Sequence, residues 1–325
     1  MDTEKVENED RAVGIFPGMA MQDYLDMPAV SASLLKTIIT RCPKAAWYES
    51  WMNTEREHDT SKAMDAGTIA HGILLEGSEA GIEVIDPNDH PAEKTGAIPS
   101  GWTNKSIKAA RDAAREAGKI PILLDDYGTI KDMVGMAREF IESLRTTEPA
   151  IWTAFQPEGG ESEVTMVWND GETPCRIRPD RIAADRKLIV DYKTGGTSAE
   201  PGLWGRTQMV RMGYYTSAAF YLRGVKALCD VVPAYVWLVQ EQEAPFLCSL
   251  VGLDPHAAEL GARKIEYALS LWRQCITSGQ WPAYPTRVCY PEIPTWEDAA
   301  FDEQEMNAIE YDPAVLFGNP TGEKE

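Results

Sequence analysis

The stretch from Glu163 to Lys193, EVTMVWNDGETPCRIRPDRIAADRKLIVDYK, decides the fold. It predicts three consecutive strands, because runs rich in β-branched and aromatic residues are separated by turn signals; the runs are 164–168, 175–184 and 187–194. Asp180 lies on the second strand. Asp191 and Lys193 are two residues apart on the third, so their side chains point to the same face of the sheet. A tight turn between these strands therefore brings two carboxylates and an ammonium group together.

This combination of side chains indicates phosphoryl chemistry. Two carboxylates supply the oxygen ligands that Mg²⁺ prefers, and the bound ion can activate a water molecule and neutralise charge on a phosphoryl group. A neighbouring lysine can orient that water or stabilise the transition state. On spacing alone a second interpretation fits equally well, in which Asp191 and Lys193 form a same-face ion pair at the end of a strand.

On both sides of this stretch, the sequence patterns predict helices in the first half of the chain and most of the sheet in the second half. Helical patterns cover 28–52 (two short helices), 64–77, 104–118, 125–146, 206–222 and 257–278, and further strand patterns cover 82–86, 233–241 and 245–253. Strands that alternate with helices in this order indicate a mixed α/β architecture.

Composition narrows the class of protein. The chain has 325 residues, of which 44% are hydrophobic and 25% are charged, values typical of a folded globular protein. No apolar run reaches the ~18 residues that a membrane span needs, and the acidic start MDTEKVENEDR differs from a signal peptide. Six cysteines without a CxxC pair indicate ordinary packed thiols. We expect a cytoplasmic protein that does not bind membranes.

The charge is unevenly distributed along the chain. The formal net charge is −20, which argues against non-specific nucleic-acid binding, because phosphate contacts need lysine and arginine. Residues 291–325 contribute −9, with ten acids and one base, and residues 1–11 contribute −3. Residues 176–226 hold ten bases and four acids, for +6, and residues 104–119 hold five bases and two acids, for +3. The larger basic region coincides with the predicted site.

The motifs of the chain resemble those of the PD-(D/E)xK nuclease superfamily, and more closely its RecE-type (exonuclease VIII) branch among RecB-like nucleases. The resemblance rests on PD at 179–180 with DYK at 191–193, on GTIAHGILLEG at 67–77, on EVTMVW at 163–168 and on TSAAFYLRG at 216–224. It covers about residues 24–286. It implies a restriction-endonuclease-like α/β core, a mixed central β-sheet flanked by helices, with a helical N-terminal part. We predict a nuclease domain over 23–290 between acidic ends at 1–22 and 291–325.

The resemblance also implies roles for individual residues. Asp180, Asp191, Lys193 and Glu163 are the expected catalytic residues, and His71, Asp180, Asp191 and the backbone carbonyl of Tyr192 are the expected metal ligands. Arg176, Arg178, Arg211, Ser217 and Tyr221 are expected to contact DNA. Two points stay open: Glu161 could replace Glu163 as the functional acid, and Ser217 stands where the family's Q-x-x-x-Y motif has glutamine.

The function implied is that of a metal-dependent, ATP-independent DNA exonuclease, which degrades one strand from a double-stranded end and leaves a single strand for recombination. The expected cofactor is Mg²⁺ or Mn²⁺, one or two ions, without an iron–sulfur cluster. Expected partners are double-stranded DNA ends, a single-strand annealing recombinase and further copies of the chain. The alternatives are a single-strand exonuclease, an endonuclease, and a module that binds DNA or a recombination protein without cleavage.

Overall fold

The structure, a computed structural model, describes residues 13–55 and 66–308. The chain divides into two compact units, Met1–Ala283 and Tyr284–Glu325. Within the described part of the second unit there is one helix, Thr295–Ala308. No helix in the described ranges is both long enough and apolar enough to cross a membrane.

The first unit contains ten strands within the described residues. They are β1 (Gly14–Phe16), β2 (Ile82–Ile85), β3 (Ile120–Leu123), β4 (Gly160–Ser162), β5 (Thr165–Asp170), β6 (Thr173–Ile177), β7 (Arg181–Ala183), β8 (Leu188–Gly195), β9 (Ala234–Glu241) and β10 (Cys248–Gly252). The central sheet has the order β10-β9-β8-β7-β4. Its strands β8 and β9 are parallel and the other neighbours are antiparallel, so the sheet is mixed, as predicted.

Helices flank this sheet within the first unit. They are α1 (Met21–Asp26), α2 (Ala32–Thr40), α3 (Pro43–Glu49), α4 (Ala66–His71), α5 (Lys105–Glu116), α6 (Leu124–Ser143), α7 (Pro149–Ala154), α8 (Pro201–Trp204), α9 (Tyr214–Cys229) and α10 (Pro255–Ser278). The helix of the second unit is α11 (Thr295–Ala308). Alternate residues of the central strands face opposite layers, because side chains alternate along a strand. Ile189 and Trp237 pack with Phe220 of α9, whereas Val190 and Leu238 pack with Met133 of α6.

Two smaller sheets complete the first unit. One has the order β1-β5-β6 and the other pairs β2 with β3 in parallel, with α5 as the connection between them. The strand β1 was not predicted, and it lies inside the segment 1–22 that the sequence assigns to an acidic extension. It pairs with β5 through Gly14 and Val167, so this part of the N-terminal segment belongs to the folded unit.

The predicted strand 175–184 is wrong as a single element. It divides into β6, which pairs with β5, and β7, which pairs with β8 in the central sheet. Pro179 lies at the division, and proline cannot donate a hydrogen bond to a strand ladder. The chain therefore changes sheets between Ile177 and Arg181, and Asp180 lies in this crossing rather than within a strand.

The predicted helix 206–222 is also wrong in its bounds. A π-helical segment covers Gly205–Met209, a turn follows, and α9 begins at Tyr214 and ends at Cys229. Gly213 adopts φ 63° before α9, a conformation that glycine accepts without steric cost. Gln208, the glutamine that most closely precedes Ser217 in the sequence, is therefore on a different helical segment from Ser217.

The close packing of α9 on α10 gives a test of the fold. A Cβ added at Gly261 would lie 2.7 Å from the Tyr215 carbonyl oxygen and 2.9 Å from the Ala219 Cβ. We expect Gly261→Ala to lower the free energy of unfolding by about 1–3 kcal/mol, because the helices must move apart. Gly128→Ala on α6 has open space and should raise it by up to about 1 kcal/mol. Urea denaturation measures both, and equal changes would contradict this packing.

Candidate active site

The two acids that the sequence places on adjacent strands meet beside β8, the middle strand of the central sheet. Asp180 immediately precedes β7, whose Arg181 is paired with Val190 of β8. The Asp180 carboxylate accepts a hydrogen bond of 2.9 Å from the Tyr192 backbone N–H. Asp180 is thereby fixed beside the segment that carries Asp191, because a backbone donor holds its side chain directly against β8.

Lys193 connects the two carboxylates. Its Nζ lies 2.8 Å from Asp191 Oδ2 and 3.7 Å from Asp180 Oδ2. Asp191 is almost fully buried, at 6% exposure, and the Lys193 side chain is 27% exposed. A buried carboxylate needs a partner of opposite charge, and Lys193 supplies it at this position.

The electrostatics of these groups follow from their burial and mutual distance. Burial alone would raise the pKa of Asp180, but Lys193 and His71 outweigh it and hold that pKa well below its ordinary value. Burial and the Asp180 charge raise the pKa of Asp191. Burial would lower the pKa of Lys193, but the two carboxylates raise it above its ordinary value. Because the two carboxylates are close together, the negative charge of Asp180 disfavours ionisation of Asp191.

His71 and Glu163 approach Asp180 from outside the central sheet. The His71 Nε2 lies 3.1 Å from Asp180 Oδ2 and 3.6 Å from Glu163 Oε1. His71 ends α4, just before a π-helical segment, Gly72–Glu76. Neighbouring residues of α4 such as Ile69 are buried against α6, which leaves the imidazole on the side facing Asp180.

These three groups form a set that fits a divalent cation. One ligand atom each from His71, Glu163 and Asp180 lie within 4.8 Å of one another. Carboxylate oxygens suit Mg²⁺, and the combination with an imidazole nitrogen also suits Mn²⁺. Asp191 lies next to these three groups, because Lys193 contacts both Asp191 and Asp180. The expected metal-ligating carbonyl of Tyr192 is 3.5 Å from Lys193 Nζ, so it lies beside the same cluster of side chains.

The backbone conformation distinguishes the two candidate acids, Glu161 and Glu163. Glu163 adopts φ 54°, a left-handed conformation that is uncommon outside glycine, and its N–H donates to the Pro179 carbonyl. This conformation aims its carboxylate at His71 and at Arg178, whose Nε lies 2.7 Å from Glu163 Oε2. Glu161 instead pairs with Arg186 at 2.9 Å. Glu163 is therefore the acid that belongs to the cluster.

The expected DNA-contacting arginines have different surroundings from those predicted. Arg176 is 5% exposed, and its guanidinium donates to the backbone carbonyls of Tyr24, Leu25 and Met27. It anchors α1 instead of offering its charge to phosphate. Arg178 orients Glu163 and also donates to the Met19 carbonyl. Sequence reasoning missed these roles, because burial of an arginine on a strand depends on a distant segment.

The remaining expected DNA contacts lie nearer the surface. Tyr221 donates a hydrogen bond of 3.3 Å to the Arg178 carbonyl and lines the site. Ser217 lines a cavity of about 260 Å³ together with Asp191 and Lys193. Arg211 is exposed and lines none of the cavities described here.

Two cavities open onto the cluster. The larger, about 710 Å³, is lined by His71, Glu163 and Asp180, and the 260 Å³ cavity is lined by Asp180 and Asp191, with Lys193 on the wall of both. The smaller cavity is also lined by side chains that the sequence-based assignment of the site omits, among them Tyr24, Lys36 and Tyr214. No motif of the sequence singled them out.

The mixed sheet places Pro-Asp beside Asp-x-Lys, and a glutamate and a histidine lie next to them. This arrangement is typical of the PD-(D/E)xK class of nuclease folds. The sequence model of a family described as a PDDEXK-like domain of unknown function (DUF3799) matches residues 31–291. The chain belongs to this family. No curated protein matches the sequence.

A solved structure has a similar fold over most of the chain. A protein named "Putative exonuclease" from Eubacterium rectale has a TM-score of 0.52 at 12% sequence identity, and the match covers 86% of this chain and 96% of that one. At this identity the likeness shows a shared fold. An alkaline exonuclease, LHK-Exo from Laribacter hongkongensis, matches at 12% identity with a TM-score of 0.26, over 54% of this chain and 84% of that one. The second score is too low to support an argument.

Replacing each glutamate separately tests the assignment of Glu163. We expect Glu163→Gln to weaken Mn²⁺ binding about tenfold or more, because it removes a carboxylate charge beside His71 and Asp180. Glu161→Gln removes the same charge from the pair with Arg186 and should leave the affinity unchanged. Isothermal titration calorimetry measures both. Equal losses in the two variants would show that Glu163 is not a ligand.

Proposed function

We propose that this protein is a metal-dependent DNA exonuclease that hydrolyses phosphodiester bonds from the ends of double-stranded DNA. The observation that carries the proposal is the meeting of Asp180, Asp191 and Lys193 beside β8, the middle strand of the central sheet. His71 and Glu163 complete the cluster at the wall of an open cavity. The PDDEXK-like family and the fold shared with the Eubacterium rectale protein support the same class of reaction.

The residues have separate tasks in this proposal. His71, Glu163 and Asp180, with Asp191, would hold Mg²⁺ or Mn²⁺. When bound, the ion supplies Lewis-acid stabilisation of a phosphoryl oxygen and lowers the pKa of a water molecule. Arg178 fixes the Glu163 carboxylate through a 2.7 Å hydrogen bond, so the position of this group does not depend on substrate.

Lys193 supplies a positive charge where negative charge develops on the phosphate. Its ammonium group is held by Asp191 at 2.8 Å and lies on the wall of both cavities. It can donate hydrogen bonds to the attacking water or to a phosphate oxygen, and a preorganised donor of this kind stabilises the transition state without reorganisation. The Tyr192 N–H keeps the Asp180 carboxylate in place during this step.

The proposal includes the wider setting of the reaction. The product would be a single strand available to a single-strand annealing recombinase, and the protein would act in the cytoplasm as a homo-oligomer. Hydrolysis of the substrate itself provides the free energy, because the sequence contains neither G-x-x-x-x-G-K-[ST] nor G-x-G-x-x-G for nucleotide binding.

Digestion of end-labelled linear duplex and closed circular duplex tests the proposal. We expect Mg²⁺-dependent loss of the linear molecule alone, and we expect Asp191→Asn to reduce the rate at least about a hundredfold, since the isosteric amide carries no charge. Asp185→Asn, in the exposed turn before β8, is the matched control and should retain full activity.

Each other outcome of this assay has a definite meaning. Cleavage of the circle would replace the proposal with an endonuclease, and cleavage of a single-stranded oligonucleotide alone would replace it with a single-strand exonuclease. If neither Mg²⁺ nor Mn²⁺ supports cleavage of any substrate, the proposal fails and a non-cleaving DNA-binding role takes its place.

Lys36 of α2 gives the smaller cavity a second positive charge. It is half-buried, its Nζ lies 5.8 Å from the centre of the Tyr214 ring, and Lys193 Nζ lies 5.6 Å from the centre of the same ring. Burial and the charge of Lys193 lower the pKa of Lys36, as expected when two ammonium groups share a small space. An anionic phosphate between them would relieve this repulsion.

We therefore expect Lys36→Gln to reduce kcat/KM for DNA about tenfold, the cost of one lost charge-assisted hydrogen bond. Lys44→Gln on α3 is the control, because Lys44 is exposed and lies over Trp47 outside both cavities. Steady-state kinetics on linear duplex measure both variants. Equal effects of the two substitutions would exclude a specific contact by Lys36.

A further inference from the structure

A stripe of positive charge runs along one side of α5. Ile107 and Ala114 are the buried residues of this helix. Lys108, Arg111 and Arg115 are spaced at i, i+3 and i+7, so they lie on one side of the helix, next to its buried face. The acids Asp112 and Glu116 border the stripe on the exposed side of the helix, and Asp112 pairs with Arg111. We call Lys108, Arg111 and Arg115 the α5 stripe.

The partners of these side chains leave most of the charge available. Within the described residues no ion pair involves Lys108 or Arg115, and both are exposed. Arg111 pairs with its neighbour Asp112 at 2.8 Å, and its guanidinium lies 6.0 Å from the centre of the Trp102 ring. An exposed pair of this kind contributes little stability, so a phosphate can replace the carboxylate at small cost.

The two strands that α5 connects form part of the wall of the active-site cavity. The helix connects the parallel strands β2 and β3 and packs on both. Ile82 and Ile120, which begin these strands and are paired with each other, line the 710 Å³ cavity that contains His71 and Asp180. The fold therefore places the stripe on an element that also bounds the proposed reaction site.

A further cavity lies between the stripe and α4. It has a volume of about 300 Å³ and is lined by Trp102, Arg111 and Arg115 on one side and by residues of α4 and α6 on the other. Ile69 of α4 lines this cavity and also the active-site cavity. Ile69 is two residues before His71, and their side chains point to different sides of α4, so this helix lies between the stripe and the proposed metal ligands.

The charges in this cavity favour an anion. Arg111 and Arg115 face it, and Asp126, at the start of α6, is the acid that faces it from the opposite side. Lys108 adds a third positive charge at the same edge of α5. Trp102 supplies an aromatic surface beside the guanidinium groups, a combination that suits the backbone and bases of a nucleic acid strand.

We propose that the α5 stripe binds the phosphodiester backbone of DNA immediately beside the active site. The proposal rests on the function proposed above and specifies how the substrate lies: one strand passes from the α5 stripe across α4 to Asp180 and Lys193. Seven residues of helix span about 10 Å, which corresponds to about three nucleotide steps along a strand. The stripe accordingly contacts two or three consecutive phosphates.

The test measures DNA binding without cleavage. Fluorescence anisotropy of a labelled 20-base-pair duplex is recorded in EDTA between about 50 and 200 mM NaCl, for the full chain and for Lys108→Gln/Arg111→Gln/Arg115→Gln. We expect the variant to bind about tenfold to a hundredfold more weakly. We also expect the slope of log Kd against log salt concentration to fall by about two to three, since each phosphate contact contributes about 0.9.

Two further variants control for charge and folding. Arg145→Gln/Lys187→Gln/Lys226→Gln removes the same charge from exposed positions outside the cavities described around the active site and should retain the wild-type slope. Exchange of lysine and arginine within the stripe, Lys108→Arg/Arg111→Lys/Arg115→Lys, should also retain it. Thermal melting of each variant confirms that the fold is intact.

The outcomes separate this inference from the proposed function. An unchanged slope in the stripe variant, an equal fall in the control variant, or no duplex binding by the wild type would overturn the α5 stripe as a binding site. Digestion by the wild-type protein in Mg²⁺, measured in parallel, decides the nuclease activity independently, because binding in EDTA does not require catalysis.

Discussion

Two buried carboxylates held close together are the constraint on which the site depends. Asp180 and Asp191 repel each other when both are ionised, and a low-dielectric surrounding strengthens that repulsion. The chain compensates with Lys193 between them, the Tyr192 N–H against Asp180, and His71 from outside the sheet. Each compensating group comes from a rigid element, so the charges are fixed by the fold before any ligand arrives.

The fold satisfies this constraint by changing sheets at one point. Because the chain crosses from β6 to β7 at Pro179, Asp180 is released from a strand ladder and its side chain can reach β8. The left-handed backbone at Glu163 lies opposite the same crossing and donates to the Pro179 carbonyl. Arg176 and Arg178, both just before Pro179, bind the backbone carbonyls of Leu25, Met27 and Met19, which holds α1 and its flanking residues beside the site.

The sequence predicted the parts of this arrangement that depend on short-range periodicity. Alternation along β8 placed Asp191 and Lys193 on one face, and the family resemblance located His71 on its helix, where the structure finds it beside Asp180. Features that depend on distant segments could not be derived this way. The burial of Arg176 requires α1, and the preference for Glu163 over Glu161 depends on a backbone angle that no pattern of residue types encodes.

The composition of the cluster has a consequence for how such a chain evolves. Gathering acids, an imidazole and an ammonium group in a half-buried cleft costs folding free energy that apolar or neutral side chains would not cost. Replacement of the whole cluster by apolar side chains is therefore favoured by stability alone, and only selection on the proposed reaction would oppose it. A lineage that stopped using the site would lose these charges early by drift. The presence of all five, His71, Glu163, Asp180, Asp191 and Lys193, is therefore the pattern that selection for the proposed reaction would maintain.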